Sequence, residues 1–263
     1  VRADTNRQSE YRRDAAYWAQ NLPTRKGMYN FDTVRFKYYR DDSVRIEGIK
    51  GGQYDFVQEN IARNWARAYP ESVLQKRNLQ KHEWQHSNTA GLQGFVMNTR
   101  RKPLDDIRVR RALVLSFDYE SINNRLFYGL YKRSYSLFTN GSMAAEGKPQ
   151  GAELALLNSV RNKLPAAVFD EPVPLPPQTN PALGVRPNLV QARALLQSAG
   201  YRYRGGVLVD KQGRPLVLEF LSPSKTYERV TAKWQRDLAK IGITLNVRVA
   251  DAAVYQKRRN DFD

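Results

Sequence analysis

His82-Glu83-Trp84-Gln85-His86 is a literal match to H-E-x-x-H, the pattern in which two histidines one helical turn apart grip a zinc ion and the glutamate between them activates water. They are the chain's two histidines. The chemistry requires a helix, because on an extended strand positions i and i+4 lie about 13 Å apart at a rise of about 3.3 Å per residue, too far to share one ion. The flanks offer no helix: charged and amide residues follow Leu79, and Ser87-Asn88-Thr89-Ala90-Gly91 comes next. A third ligand would have to be a carboxylate. The reading is solvent-exposed histidines on a strand or loop, with no metal, and a zinc metallopeptidase through His82, Glu83 and His86 stands as the enzymatic alternative.

Other routes to catalysis are closed or unsupported. The chain has no cysteine, which removes thiolate zinc sites, iron–sulfur clusters, disulfides and cysteine nucleophiles together. No serine sits in a nucleophile-elbow context. Gly51-Gly52 and Gly205-Gly206 lack the lysine and the strand-to-helix placement of a phosphate-binding loop and read as turns. No catalytic residue and no cofactor is expected.

Charge raises a different possibility. Forty-three Lys and Arg against 26 Asp and Glu give a net charge of +17 in 263 residues, which admits nucleic acid, anionic lipid or acidic small molecules as partners. The densest groups are Arg25-Lys26, Arg100-Arg101-Lys102, Arg108 with Arg110-Arg111, and Lys257-Arg258-Arg259. They are interrupted by acids and apolar elements and lie in no winged, zinc-finger or RNP-type motif, so a solvated basic surface is the expectation and nucleic-acid binding the third reading. A last constellation is polar and aromatic: Glu59, Asn60 and Trp65, then Gln93, Gly94, Asn98 and Arg100 around an apolar stretch, then Arg125, Tyr128 and Tyr131. Amides, a guanidinium fork and ring faces suit a wet pocket for peptide backbone and carboxylate. The plain alternative is that Trp65 and the tyrosines are core or rim aromatics.

The elements that must position these residues follow from pattern. A hydrophobic content of 41% can fill a real core, and no apolar run approaches the roughly 20 residues that span a bilayer. Alternation over 29–39 predicts a half-buried strand, Arg40-Asp41-Asp42-Ser43 a cap for a short helix ended by Gly51-Gly52, and Tyr54-Asp55-Phe56-Val57 a second strand. Residues 58–71 carry helical spacing up to Pro70, and 92–97 read as a buried strand. Asp105-Asp106 lead into a helix through Leu115, with another over 119–128. Seven prolines make 163–188 irregular. Then come a helix over 189–199, a hairpin of 207–209 with 216–220, a helix over about 226–240 and a closing strand at 243–249. The start, Val1-Arg2-Ala3-Asp4, is neither a signal peptide nor an initiator methionine, and both ends read as cuts in a longer protein.

This order of motifs resembles the middle and later part of the family 5 extracellular solute-binding proteins, closest to their YejA-type branch. The matching stretches include Gly27-Met28-Tyr29-Asn30-Phe31-Asp32, Gly52-Gln53-Tyr54-Asp55-Phe56, Gln93-Gly94-Phe95-Val96-Met97-Asn98-Thr99-Arg100, Pro103-Leu104-Asp105-Asp106-Ile107-Arg108-Val109-Arg110-Arg111-Ala112-Leu113 and Leu126-Phe127-Tyr128-Gly129. The resemblance implies an α/β, two-lobed periplasmic-binding-protein fold of type II, incomplete here, with mixed sheets flanked by helices. Residues 1–95 would be the later part of the first lobe, 92–98 a hinge strand and 99–263 most of the second. It implies a monomeric periplasmic subunit, without enzymatic activity, that binds oligopeptide or peptide-like ligand between its lobes and hands it to ABC transporter permease subunits in the inner membrane, with no nucleic-acid partner. On the same resemblance the acid that pairs with a peptide's amino group would follow Asp261-Phe262-Asp263.

Overall fold

The computed structural model describes residues 1–4 and 6–263, and these divide into two units, Val1–Glu83 and Trp84–Asp263. In the first, β1 (Arg2–Asp4), β2 (Gln8–Arg12) and β3 (Thr33–Lys37) form an antiparallel sheet in that order, with Ser9 opposite Phe36 and Tyr11 opposite Val34. Tyr11 meets Phe36 edge-on at 5.8 Å. The strand expected over 29–39 is therefore shorter, because Tyr29 sits in the left-handed region at φ 57° and turns the chain before it. Nor is it half-buried, since Phe36 stays 54% exposed.

Helix α1 (Asp42–Lys50) starts where the acids predict: Asp41 Oδ1 accepts from the Ser43 and Val44 amides at 2.7 and 3.4 Å, satisfying donors that the helix leaves open. It ends at Gly51, followed by Gly52 at φ 72°. Gly48, a poor helix former, is explained by packing: a Cβ there would lie 2.6 Å from the Tyr39 hydroxyl. The strand expected at 54–57 does not form. Tyr54 instead donates its hydroxyl to the Arg45 carbonyl, and Phe56 stays exposed. Helix α2 (Ala62–Arg67) is shorter than the helical spacing suggests, and Pro70, read as a terminator, is the N-cap of α3 (Glu71–Arg77).

The second unit opens with a long non-regular stretch and then α4 (Ile107–Leu115), capped by Asp106, and α5 (Tyr119–Leu126), capped by Asp118. Next come α6 (Gly151–Asn158), α7 (Ala167–Asp170) and α8 (Arg186–Ser198). β4 (Arg202–Arg204) and β5 (Val207–Val209) follow, then β6 (Val217–Ser222), α9 (Glu228–Ala239), β7 (Thr244–Val249) and α10 (Ala252–Asn260). β6 and β7 pair in parallel from Val217–Thr244 to Ser222–Val249, a pairing that demands a crossover, which α9 supplies.

The expected hairpin is re-partnered. β5 pairs antiparallel with β4 through a turn at Gly205-Gly206, both at positive φ as tight hairpin turns need, and meets the chain before β6 at the Val209–Pro215 bridge, where the Leu216 amide donates to the Leu208 carbonyl at 2.9 Å. The core packs Val109, Ala112 and Leu113 of α4 against Leu189, Ala192 and Leu196 of α8, with Leu208, Leu218, Trp234, Leu238 and Leu245. Trp234 donates Nε1–H to buried Ser116 Oγ at 2.9 Å, which satisfies its one polar atom.

The prolines keep 163–188 largely irregular, and side chains hold it down. Thr179 donates its hydroxyl to Asp118 Oδ1 at 3.0 Å and its amide to Glu120 Oε2 at 3.1 Å, while Arg133 donates to the Pro177 carbonyl at 2.7 Å. Residues 92–97 do not form the buried strand expected. Phe95 and Met97 pack on the core but Val96 is 97% exposed, and the stretch joins no ladder among the described residues. The result is mixed α/β, with antiparallel and parallel sheets flanked by helices.

Candidate functional site

The H-E-x-x-H segment is not helical, so the arrangement that zinc chemistry requires is missing. Each of its groups is engaged locally. His82 Nε2 lies 2.9 Å from Gln80 Oε1, His86 Nδ1 accepts from the Asn88 amide at 3.3 Å, and Glu83 Oε1 accepts from Trp65 Nε1 at 3.2 Å. Among the described residues no group of three or more His, Cys, Asp or Glu side chains is placed to hold a metal ion. The basic groups are partly neutralised: Arg108 pairs with Asp106, Lys257 with Asp261, and Arg258 with Glu219 and Asp263.

Of the polar and aromatic constellation, Glu59, Asn60 and Trp65 belong to the first unit. The Glu59 side chain is 2% exposed. Its oxygens accept from Arg45 Nη2 at 2.9 Å, the Tyr69 hydroxyl at 2.9 Å and the amide of Ile61, the residue before α2, at 3.0 Å. Burial pushes this carboxyl up, but the Ile61 amide, Arg45 and Tyr69 outweigh it and hold it below the usual carboxylate range. The same burial, together with the Glu59 charge, pushes the Tyr69 phenol well above its ordinary value. Glu59 thus knots the unit's interior. Asn60 is exposed beside Gln58, and Trp65 is half-buried under Lys81, whose ammonium lies 4.3 Å from its ring centre.

In the second unit Gln93, Asn98 and Arg100 lie along one non-regular segment that ends in a turn at Thr99-Arg100. Phe95 anchors that segment, its ring 5.7 Å from Trp234 and 4.6 Å from Phe220. Gln93 donates to the Tyr227 hydroxyl. Asn98 donates from Nδ2 to the Phe262 carbonyl and accepts the Arg100 amide on Oδ1 at 3.2 Å. The Arg100 guanidinium lies 3.8 Å from the centre of the Phe262 ring. Gly94 is exposed, and a Cβ there would meet nothing within 4 Å.

Arg125 and Tyr128 lie elsewhere, on the last turn of α5 and just after it, where Tyr128 and Gly129 take positive φ in sequence. A recess of about 370 Å³ in the first unit, between Arg13, Tyr17, Arg25 and Tyr29, contains none of these residues. Tyr227 and Phe262 were not singled out as site residues. They meet Gln93 and Asn98 across 134 and 164 residues of chain, and no local pattern announces such a contact.

The model of the bacterial extracellular solute-binding proteins, family 5 (middle), matches residues 1–263. The chain belongs to that family. It is 36% identical over 256 residues to YejA of Escherichia coli (strain K12), covering 96% of this chain and 42% of that protein. It is 33% identical over 256 residues, with the same coverage, to the Agrobacterium fabrum protein named "Probable peptide-binding protein YejA". Among solved structures, NikA from Brucella suis, in complex with Fe(III)-EDTA, shares the fold at TM-score 0.64 and 18% identity over 99% of this chain and 44% of that one. The periplasmic oligopeptide-binding protein of an oligopeptide ABC transporter from Thermotoga maritima does so at 0.58 and 15%, over 98% and 43%. The chain thus spans about two fifths of the length of these relatives. Family 5 is a family of extracellular binding proteins, and no helix among the described residues of this member is long and apolar enough to cross a membrane.

Proposed function

We propose that this family 5 protein is the periplasmic substrate-binding subunit of an ABC importer, binding oligopeptides and delivering them to permease subunits in the inner membrane without chemistry of its own. The observation that carries the reading is the family match over residues 1–263, supported by a relative whose name is peptide-binding and a structural neighbour whose title is oligopeptide-binding. The segment Gln93–Arg100 adds a local argument. It exposes Gln93 and Arg100, with Asn98 half-buried, on a backbone that joins no ladder among the described residues, and Phe95 packs on the core. Such a strip offers peptide-like ligand main-chain and side-chain partners together. Gln93, Gly94, Asn98 and Arg100 are assigned the ligand contacts in the second unit. Asn60, Trp65, Arg125 and Tyr128 are assigned polar and stacking contacts, and Glu59 braces its own unit. Residues 99–263 are assigned to the second lobe and 1–95 to the first.

Thermal unfolding of the full-length protein against a panel of short peptides, repeated with Zn²⁺ and with EDTA, tests this. A ligand that binds only the folded state adds about 2.7 kcal/mol at a hundredfold excess over its dissociation constant. The expected result is a raised midpoint with peptide that neither zinc nor EDTA alters. A midpoint raised by zinc, lowered by EDTA and unmoved by every peptide would overturn the proposal in favour of the metal reading.

A further inference from the structure

Two loops of the second unit are sewn together at Asn140. Its Nδ2 donates to the His86 carbonyl at 2.9 Å and to the Asn88 carbonyl at 2.8 Å, and the Ala90 amide donates in return to the Thr139 carbonyl at 2.7 Å. The approach is close enough to need glycine at 141, where a Cβ would lie 2.5 Å from Thr89 Oγ1. Asn140 itself sits at φ 68°, a left-handed conformation that asparagine and aspartate tolerate better than most residues. The three bonds hold 86–90, the stretch that ends the H-E-x-x-H sequence and leads to Gln93, against the turn over 137–140.

The same residue carries latent chemistry. Asn140-Gly141 is the one Asn-Gly pair in the sequence. In such a pair no Cβ shields the following amide, and the Gly141 nitrogen can attack the Asn140 carboxamide carbon. The Gly141 N–Cγ bond forms, the Cγ–Nδ2 bond breaks, and ammonia leaves with the proton from the Gly141 amide, giving a five-membered succinimide. Water then adds across one imide C–N bond and yields aspartate or isoaspartate. Asn140 is exposed, so water reaches it. Both reacting groups are engaged in the fold, Nδ2 by two carbonyls and the Gly141 N–H by the Phe138 carbonyl at 2.9 Å. Reaction therefore requires a local opening. The product cannot restore the contact, because an ionised aspartate accepts and does not donate. It would set an anionic oxygen against the two carbonyl oxygens that Nδ2 held.

We infer that Asn140-Gly141 is a self-modification site: a clasp whose opening exposes it to deamidation, and whose deamidation keeps it open. It lies outside the residues assigned to ligand and does not depend on the peptide-binding reading.

Deamidation is followed in the full-length protein by peptide mapping after incubation in mildly alkaline buffer, in water labelled with heavy oxygen so that conversion during the incubation is marked. Conversion at Asn140 is expected to be at least about tenfold slower in the native protein than in denaturing urea, tenfold being equivalent to an opening cost of about 1.4 kcal/mol. Ala90→Pro, which deletes the amide that meets Thr139 and leaves Asn140 and Gly141 untouched, raises the native rate. Thr139→Val, which removes the hydroxyl bonded to Ser136 within the turn, raises it less and carries the comparison if Ala90→Pro does not fold. Unfolding midpoints decide that point. In Asn140→Asp, which reproduces the aspartate product on a backbone that aspartate tolerates, the Ala90 amide loses about tenfold of its hydrogen-exchange protection while amides of α4 and α8 keep theirs. Equal rates in native protein and urea, a native rate that neither loosening variant moves, or wild-type protection of Ala90 in Asn140→Asp overturns the clasp. Absence of conversion at Asn140 in urea overturns the site itself.

Discussion

Around Trp234 the second unit encloses leucine, isoleucine, valine and alanine from α4, α8, α9, the β6–β7 pair and the connection between α9 and β7, whereas the first unit buries Ile46, Ile49, Ala62 and Ala19 and holds a polar knot of Arg45, Glu59 and Tyr69. The first kind of interior is held mainly by removal of apolar area from water, a contribution that does not depend on pH, although the same unit also buries Asp118 and Asp237 against Lys233. The second depends on a carboxylate staying charged where it is 2% exposed, which is tolerable only while every lone pair is occupied. The knot itself leaves donors unanswered: Arg45 Nη1, the Tyr39 hydroxyl and Asn64 Nδ2 are buried with no protein partner, positions where ordered water is the usual remedy. One unit is therefore limited by packing and the other by polar satisfaction.

The largest break in that contrast is Trp234→Ala. It removes the ring that Phe95, Phe117 and Ser116 share and is expected to cost about 3–5 kcal/mol. In hydrogen exchange, amides of α4, α8 and α9 lose protection while those of α1 and α2 do not. Lys233→Met comes next. Lys233 bridges Asp118, at 2.8 Å, and Asp237, whose side chains are 7% and 1% exposed. Without it two buried carboxylates face each other with only Lys240 on Asp237, for an expected loss of about 3 kcal/mol by urea denaturation at neutral pH. The penalty should shrink as the pH falls, because protonation removes the uncompensated charge. A loss that does not depend on pH would mean that Lys233 acts by packing.

Glu59→Gln sharpens the contrast from the other side. With Arg45 one-fifth exposed, the expected loss is about 2 kcal/mol, below the range for a fully buried pair, and it should appear in the protection of α1 and α2. The sign of the pH dependence follows from linkage. The folded Glu59 carboxyl titrates below its unfolded value, so the unfolded chain binds more protons in between, and stability rises with pH there. The contribution is complete above the ordinary carboxylate pKa of about 4 and disappears as pH falls through the folded value. Asp118, raised by burial but lowered further by Lys233, the Ser121 amide and Thr179, behaves the same way in the second unit. Glu59→Gln should flatten the acid limb for the first unit alone.

What was legible in the residues was whatever is decided within one turn or one strand. Asp41 and Asp106 announce α1 and α4 because an N-cap acts on amides two and three residues away. The alternation of 243–249 and the helical spacing before it mark β7 and α9, while the parallel pairing of β7 with β6 is not written in either stretch. What was not legible needed a partner elsewhere. Tyr54–Val57 and Leu92–Met97 have strand composition, but a strand is a ladder, and neither stretch has one here. β2, Gln-Ser-Glu-Tyr-Arg, carries no apolar alternation and pairs anyway. Pro70 fits the start of a helix as well as the end of one, and the structure uses it as a start. For the candidate site, Gln93, Asn98 and Arg100 were visible as residue types, while the Phe262 ring that lies against Arg100 was not.

The smallest effect discriminates most finely. Tyr69→Phe removes one of the donors to Glu59 while leaving Arg45 and the Ile61 amide in place. A single hydrogen bond to a charged group, with two others remaining, is worth about 1 kcal/mol at neutral pH. Because the lost donor favours the charged form, the Glu59 carboxyl should titrate higher in the variant than in the wild type, though still below its unfolded value while Arg45 remains. The acid limb of the first unit still begins near the unfolded carboxylate pKa of about 4 but ends at higher pH and is smaller in total, since the gap between folded and unfolded titration narrows. Carboxyl-detected NMR titration of Glu59 beside urea midpoints across the same pH range reads both quantities. A stability loss without a shift in the Glu59 titration would mean that the phenol contributes by filling space, and that the first unit's interior is less polar in its energetics than in its composition.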